Sequence, residues 1–240
     1  MKIALLGYGK MGKAIEEIAL QSGNEIVMRI SSANASELTQ AKLQQSGAEV
    51  AIEFSRPETA FANIKTALEA GIPVVSGTTA WLDKMQELRV LVDQLRGAFF
   101  YASNFSLGVN ILFHLNKKLA QIMEYQPEFD VRMKEIHHTQ KLDAPSGTAI
   151  TLAEGIVDTI SRKSKWVKEV AGSPDELPII SLREANVPGT HEVIWSSETD
   201  EITIAHIAKS RAGFANGALL AASWLPGKQG CFGMEDLLSF

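Results

Sequence analysis

The sequence predicts an α/β protein: a Rossmann-type parallel-sheet nucleotide domain, then a second α+β domain with a mixed or antiparallel sheet. Three observations carry this. A G-x-G-x-x-G run (Gly7, Gly9, Gly12) stands between a short apolar strand and an amphipathic helix, the context in which such glycines hold a dinucleotide. Strand and helix patterns then alternate to about residue 105, which predicts a parallel sheet covered by helices. After that point a long helix and a cluster of strand-like runs with short links replace the alternation.

The elements follow in order. Strands are predicted at 2–7, 25–30, 49–54, 73–76 and 98–102, from short apolar runs between turn residues. Helices are predicted at 10–22, 57–70 and 81–96; Pro57 suits the first turn of its helix and Gly71 the end. A helix over 107–124 leads to a strand whose alternation (Val131, Met133, Glu135) reaches His137 and His138. A helix over 147–162 comes next, then a polar stretch with Gly172, Pro174 and Pro178. Strand-like runs at 178–185, 191–197 and 201–208 are separated by turns at Gly189 and at Glu198-Thr199-Asp200. An Ala-rich helix over 211–224 closes the pattern.

Bulk properties exclude several classes. At 240 residues there is room for one large domain or two modest ones. A net charge of −5 without a basic stripe argues against a nucleic-acid partner. A single cysteine, Cys231, excludes an internal disulfide and fits a reducing cytoplasm. The sequence enters its first strand at once, without the features of a secretory leader. No apolar run approaches the ~18 residues of a membrane span, so a membrane location is not expected.

The chemistry concentrates in Glu135–Ala149, EIHHTQKLDAPSGTA. Histidine can donate or accept a proton near neutral pH, and Lys141 follows closely. Ser146-Gly147-Thr148 opens a helix, whose N-terminal N–H groups and dipole suit a carboxylate. The segment therefore predicts a site that binds a small anion and moves a proton on it. Adjacent His137 and His138 point to opposite faces of a strand, and no cysteine or paired carboxylate joins them, so no metal is expected. Gly77-Thr78-Thr79 and Asn104-Phe105-Ser106 follow the fourth and fifth strands, on the sheet edge where α/β proteins bind ligands; Ser106 could also cap the helix at 107. His114, His191 and His206 receive no catalytic role, and the four tryptophans read as core or interface residues.

The glycine turn, GTT, NFS-x-GVN, HH-x-x-K-x-DAPSGTA and SRAGFANGA stand in this order, and together they resemble the dihydrodipicolinate reductase family. The resemblance spans Lys2 to the C-terminus. It implies a cytoplasmic NADPH- or NADH-dependent enzyme that reduces a small cyclic dicarboxylate to tetrahydrodipicolinate, in lysine and diaminopimelate biosynthesis. It implies His137 as general acid/base and Lys141 as a proton donor that also meets the substrate. His138, Ser146, Gly147 and Thr148 would contact the substrate carboxylates. The cofactor would lie on Gly7, Tyr8, Gly9, Lys10, Met11 and Gly12, on Ser31, on Gly77, Thr78 and Thr79, and on Ala102, Ser103, Asn104 and Phe105, with Arg211 reaching back to it. It further implies a dinucleotide-binding domain over 1–105 and 211–240, a substrate-binding and oligomerisation domain over 106–210, and a homotetramer.

Two positions depart from pattern. The second strand ends in Ser31 and Ser32 where a ribose-binding acid is usual. A 2′-phosphate is therefore not repelled, and Lys10 or Arg29 could meet it, so NADPH is expected to serve at least as well as NADH. Ala80 stands where the family often has glycine. The competing readings are another two-domain dehydrogenase of a small dicarboxylate and an NAD(P)H-sensing module; neither requires His137 with Lys141.

Overall fold

In the computed structural model, which describes residues 1–210 and 212–240, the chain falls into two compact units. One combines Met1–Ser106 with Ala212–Phe240; the other is the segment between them.

The first unit is built on six parallel strands: β1 (Lys2–Leu6), β2 (Glu25–Ile30), β3 (Val50–Glu53), β4 (Val74–Ser76), β5 (Ala98–Tyr101) and β11 (Gly230–Phe232). Their order across the sheet is β11-β5-β4-β3-β1-β2. The chain reverses direction across the sheet between β1 and β3, the switch point at which such sheets bind ligands. The helices are α1 (Lys10–Gln21), α2 (Gln40–Ser46), α3 (Pro57–Glu69), α4 (Met85–Leu95), α7 (Ala212–Trp224) and α8 (Met234–Leu238). Helix α7 packs on α1, β3 and β4. Nearly every side chain of β1, β3 and β4 is buried, because helices cover both faces of such a sheet. The core includes Leu6, Ile52, Ile64, Val74, Leu88 and Phe99.

The glycine turn has a steric cause. Gly7 sits at φ +105°, and a Cβ there would lie 2.1 Å from the Phe54 carbonyl oxygen. A Cβ at Gly12 would lie 2.4 Å from the Gly7 carbonyl oxygen, so α1 can start this close to β1 only without side chains at either position.

The second unit has a five-stranded mixed sheet of order β10-β9-β6-β8-β7. Its strands are β6 (Asp130–His137), β7 (Lys165–Lys168), β8 (Glu176–Arg183), β9 (Thr190–Ser196) and β10 (Glu201–Ile207). Central β6 runs parallel to β8 and antiparallel to β9. Helices α5 (Leu107–Met123) and α6 (Gly147–Val157) pack together and on the sheet. Leu112, Met123, Met133, Leu152, Ile179, Val193 and Trp195 form the core beneath them.

The runs at 178–185 and 191–197 are consecutive in sequence, yet β6 lies between β8 and β9, which makes the sheet mixed, one of the two arrangements expected. Other elements differ from the sequence expectation. Helix α6 ends at Val157 rather than 162, with its last turn closing at Asp158. The segment 81–96 begins as a 3-10 turn over Leu82–Lys84 before α4. Elements α2, β7, β11 and α8 lie outside the elements the sequence predicts. Helix α2 is one short, mostly exposed stretch with a Thr39 cap, Gly47 as its left-handed stop and Leu43 alone buried, too little periodicity to register.

Candidate active site

The second unit concentrates its polar side chains at one end of the sheet. Three strands switch from apolar to polar on the same face and at the same row. On β6 the buried residues run Val131, Met133, Glu135, His137. The register sets Met133 beside Ile179 and Val193, Glu135 beside Ser181 and His191, and His137 beside Arg183. Trp195 and Met133 thus floor the core, while Glu135, Ser181, His191, His137 and Arg183 form a polar end.

Glu135 is the hub. Its carboxylate is fully buried and accepts the Ser146 backbone N–H on both oxygens at 3.1 Å and the Ser181 hydroxyl at 2.9 Å. Arg183 Nη1 stands 3.6 Å from Oε1. Burial opposes the carboxylate charge, but these hydrogen bonds and nearby His137 outweigh it and hold the acid below its ordinary range.

His137 ends β6 with 7% of its surface exposed. Its Nδ1 lies 3.4 Å from Glu135 Oε2, and its ring meets His191 edge-on at 5.0 Å. Burial lowers the His137 pKa; Glu135 opposes this while Lys141 and Arg183 add to it. His191 is nearly buried, and burial with His137 alongside takes its pKa down to about 4. His191 Nε2 is 3.1 Å from the Ser146 hydroxyl.

Ser146 caps α6, its hydroxyl accepting from the Ala149 N–H at 3.2 Å. Gly147 follows with open space where a side chain would stand, and half-buried Thr148 completes the helix opening. The Ala144–Pro145 peptide before it is cis. His138 lies just past the strand, half-buried, and its carbonyl accepts the Lys141 N–H at 3.0 Å. Lys141 Nζ reaches both Asp143 carboxylate oxygens at 2.8 Å, which holds Asp143 below the ordinary carboxylate value. Arg183 ties down this loop through the Lys141 and Asp143 carbonyls, at 3.2 and 2.5 Å.

Glu135, Ser181, Arg183 and His191 were missed by sequence reasoning. Each is a polar residue at an inward position of its strand, a pattern legible only once register is known. Glu135, His137 and His191 bring ligand-type atoms within 4.8 Å of one another, a grouping made across strands and not by the adjacent His137–His138 pair.

In the first unit, Gly7, Tyr8, Gly9 and Ser31 line a cavity of about 380 Å³, joined by Phe54, Ser55 and Arg56. A Cβ at Gly9 would meet nothing within 4 Å, so ligand can approach the backbone where α1 begins. This donor set fits a dinucleotide pyrophosphate. Lys10 opens α1, with Met11 beside it. Arg29 is engaged by Glu16, its Nε donating at 2.7 Å, and Tyr8 bonds the same carboxylate.

The loop after β4 is held from within. Buried Glu53 accepts from the hydroxyls of Ser76 and Thr78 at 2.6 and 2.9 Å and from the Ser55 N–H at 2.9 Å; burial still raises its pKa. Trp81 Nε1 donates to the Thr78 carbonyl at 2.7 Å. The Thr78 side chain thus shapes the Gly77–Thr79 loop. Ala80 follows at φ +61°, a left-handed conformation that costs alanine about 1 kcal/mol, so the departure at this position carries real strain. After β5, the Ala102 N–H meets the Ser76 carbonyl at 3.3 Å, and Asn104 turns the chain by accepting the Ser106 N–H at 2.9 Å; Ser103 lies exposed between them. Phe105 is buried against Phe54 and Phe100 at ring distances of 5.6 and 5.9 Å. Arg211 lies outside the described residues.

A larger cavity of about 500 Å³ lies at the opposite end of β6, around Asp130, Lys163 and Pro174. Lys163 there is fully engaged by the Pro174 and Glu176 carbonyls and Asp130, and none of the sequence-predicted site residues lines it.

Comparison with known proteins agrees along the whole chain. Residues 1–105 match the family model described as dihydrodipicolinate reductase, N-terminus, and residues 108–238 match its C-terminus. The 4-hydroxy-tetrahydrodipicolinate reductase of Christiangramia forsetii is 49% identical over 239 residues, covering 100% of this chain and 98% of that protein. That of Caldanaerobacter subterraneus subsp. tengcongensis is 35% identical, covering 96% and 94%. Among solved structures, the dipicolinate-bound dihydrodipicolinate reductase from Paenisporosarcina shares the fold, with a TM-score of 0.78 at 22% identity over 98% of each chain. The chain belongs to the dihydrodipicolinate reductase family.

Proposed function

We propose that this member of the dihydrodipicolinate reductase family reduces the dihydrodipicolinate-type cyclic dicarboxylate to tetrahydrodipicolinate with NAD(P)H, in the cytoplasmic synthesis of lysine and diaminopimelate. The observation that carries the reading is the polar end of the second unit: a buried histidine, a lysine and a helix opening on one ligand-sized stretch. Gly7 to Gly12, Ser31, Gly77 to Thr79 and Ala102 to Phe105 would hold the dinucleotide, which supplies the hydride. Thr78 and Phe105 contribute through backbone, their side chains being used inside the fold. His137 holds or delivers the proton that the reduced ring requires. Lys141, released from Asp143, and the N–H groups at Gly147 and Thr148 bind the carboxylates, with His138 beside them.

The absence of an acid after β2 supports use of NADPH at least as readily as NADH; with Arg29 engaged by Glu16, Lys10 and Ser31 are the nearer partners for a 2′-phosphate. The sheet of the second unit supports a homotetramer. Its helices cover one face, while Ile180, Leu182 and Ile207 stand on the other, each more than a third exposed; a second copy would bury them.

Lys141→Ala tests the reading. The expected variant binds NADPH within about threefold of wild type but loses kcat/KM about a hundredfold, a loss of ~2.7 kcal/mol. Unchanged turnover would remove Lys141 from the site, and NADPH binding with no turnover in the wild type would favour the nucleotide-sensing alternative.

A further inference from the structure

Glu135 is wholly buried, yet the proposed chemistry makes no use of its carboxylate. Its two oxygens face different groups. Oε1 accepts from the Ser181 hydroxyl and the Ser146 N–H and faces Arg183. Oε2, also within reach of the Ser146 N–H, faces His137 Nδ1 at 3.4 Å and His191 Nε2 at 3.8 Å. His137 Nδ1 has no other partner among the described residues. Its other nitrogen borders Gly189, where an added Cβ would stand 3.2 Å from Nε2; the missing side chain keeps that nitrogen approachable.

We propose that Glu135 is a positioning residue that fixes His137 as its Nδ1–H tautomer and leaves Nε2 to exchange the proton with substrate. The inference rests on His137 being the acid/base group. A carboxylate facing one imidazole nitrogen selects the tautomer protonated there and holds the ring's orientation. The Nδ1–Oε2 contact exceeds the usual hydrogen-bond length, and such bonds commonly tighten only when substrate binds. The donors from Ser146 and Ser181 keep the carboxylate charged. His191, held neutral, shares a hydrogen bond between its Nε2 and the Ser146 hydroxyl and does not compete as a cation. The charged and titratable groups around His137 are therefore Glu135, Lys141, Asp143, Arg183 and His191.

Glu135→Gln separates positioning from mere packing. The Ser181 hydroxyl and the donor-only Arg183 guanidinium face Oε1, which keeps the amide oxygen there and sets the NH2 at Oε2, facing Nδ1. It would donate there and drive the ring proton to Nε2. The probe is 15N-histidine-labelled full-length protein at pH 7.5; the chain has five histidines, and His137 is assigned by loss of its signal in His137→Gln. The wild type should read as Nδ1–H, Glu135→Gln as Nε2–H and Glu135→Asp as Nδ1–H. In turnover, Glu135→Gln should lose kcat about a hundredfold with NADPH affinity unchanged, and Glu135→Asp should recover part of the loss. An Nε2–H wild type, or an unchanged tautomer in Glu135→Gln, would overturn the proposal. If Glu135→Gln fails to fold, Glu135→Asp and the wild type still decide it: Nε2–H in either refutes it. Zinc retained at one per chain by the wild type and lost in Glu135→Gln would make the cluster a metal site and overturn it too. A wild type without reductase turnover defeats the functional reading, while the tautomer measurement continues to test Glu135.

Discussion

Acid should weaken the second unit through one histidine. His191 titrates near 4 in the folded protein against an ordinary value of 6.5, because burial and then neighbouring His137 disfavour its charge. Above pH 6.5 it is neutral in both folded and unfolded chains, and its contribution is fully present. Below 6.5 the unfolded chain takes up a proton that the folded one refuses, so stability falls with pH at about 1.4 kcal/mol per pH unit until about pH 4. The whole fall is worth about 3 kcal/mol, of which roughly 2–3 kcal/mol is lost by pH 4.5. His191→Gln retains a donor near Ser146 but cannot titrate. Urea unfolding followed by tryptophan fluorescence, with Trp166 and fully buried Trp195 reporting on this unit, should show the gap between wild type and variant closing by that amount between pH 7.5 and 4.5. Glu135, His137 and His206 contribute acid sensitivity to both proteins and do not produce this difference. Parallel loss in the two proteins, within about 0.5 kcal/mol, would refute a buried neutral His191.

Two further outcomes follow from the first unit. Gly217→Ala would place a Cβ 1.8 Å from the Phe105 carbonyl oxygen, so α7 must move; the expected cost is about 2 kcal/mol or more, lowering Tm by about 4 °C or more in a thermal melt, and a Tm within a degree of wild type would show that α7 is not seated as described. NADPH should give kcat/KM at least equal to NADH, since no carboxylate follows β2; a preference for NADH beyond about tenfold, ~1.4 kcal/mol, would refute that reading.

What the sequence makes legible is local. Strand β1, its glycine turn and α1 are contiguous and each carries its own signal, and His137, Lys141 and Ser146 fall in one short segment. What it hides is pairing. Ser181 and His191 lie 46 and 56 positions from Glu135, and only the placement of β6 between β8 and β9 brings them to one carboxylate. Strand β7 was hidden for a different reason: KWVK is short, half-exposed and bounded by polar turns, so its position at a sheet edge leaves no apolar run to read. Arg29 shows the limit of residue type alone. It is a plausible phosphate partner by position, but Glu16 holds it across from α1.

The central claim, a reductase whose proton is handled by His137, is tested most directly by optical NADPH oxidation. Substrate is generated in place from pyruvate and aspartate semialdehyde by the preceding synthase, and wild type is compared with His137→Gln. Oxidation should depend on the synthase and fall at least about a hundredfold in the variant. Cofactor binding without synthase-dependent oxidation, or equal rates in the two proteins, would contradict that claim.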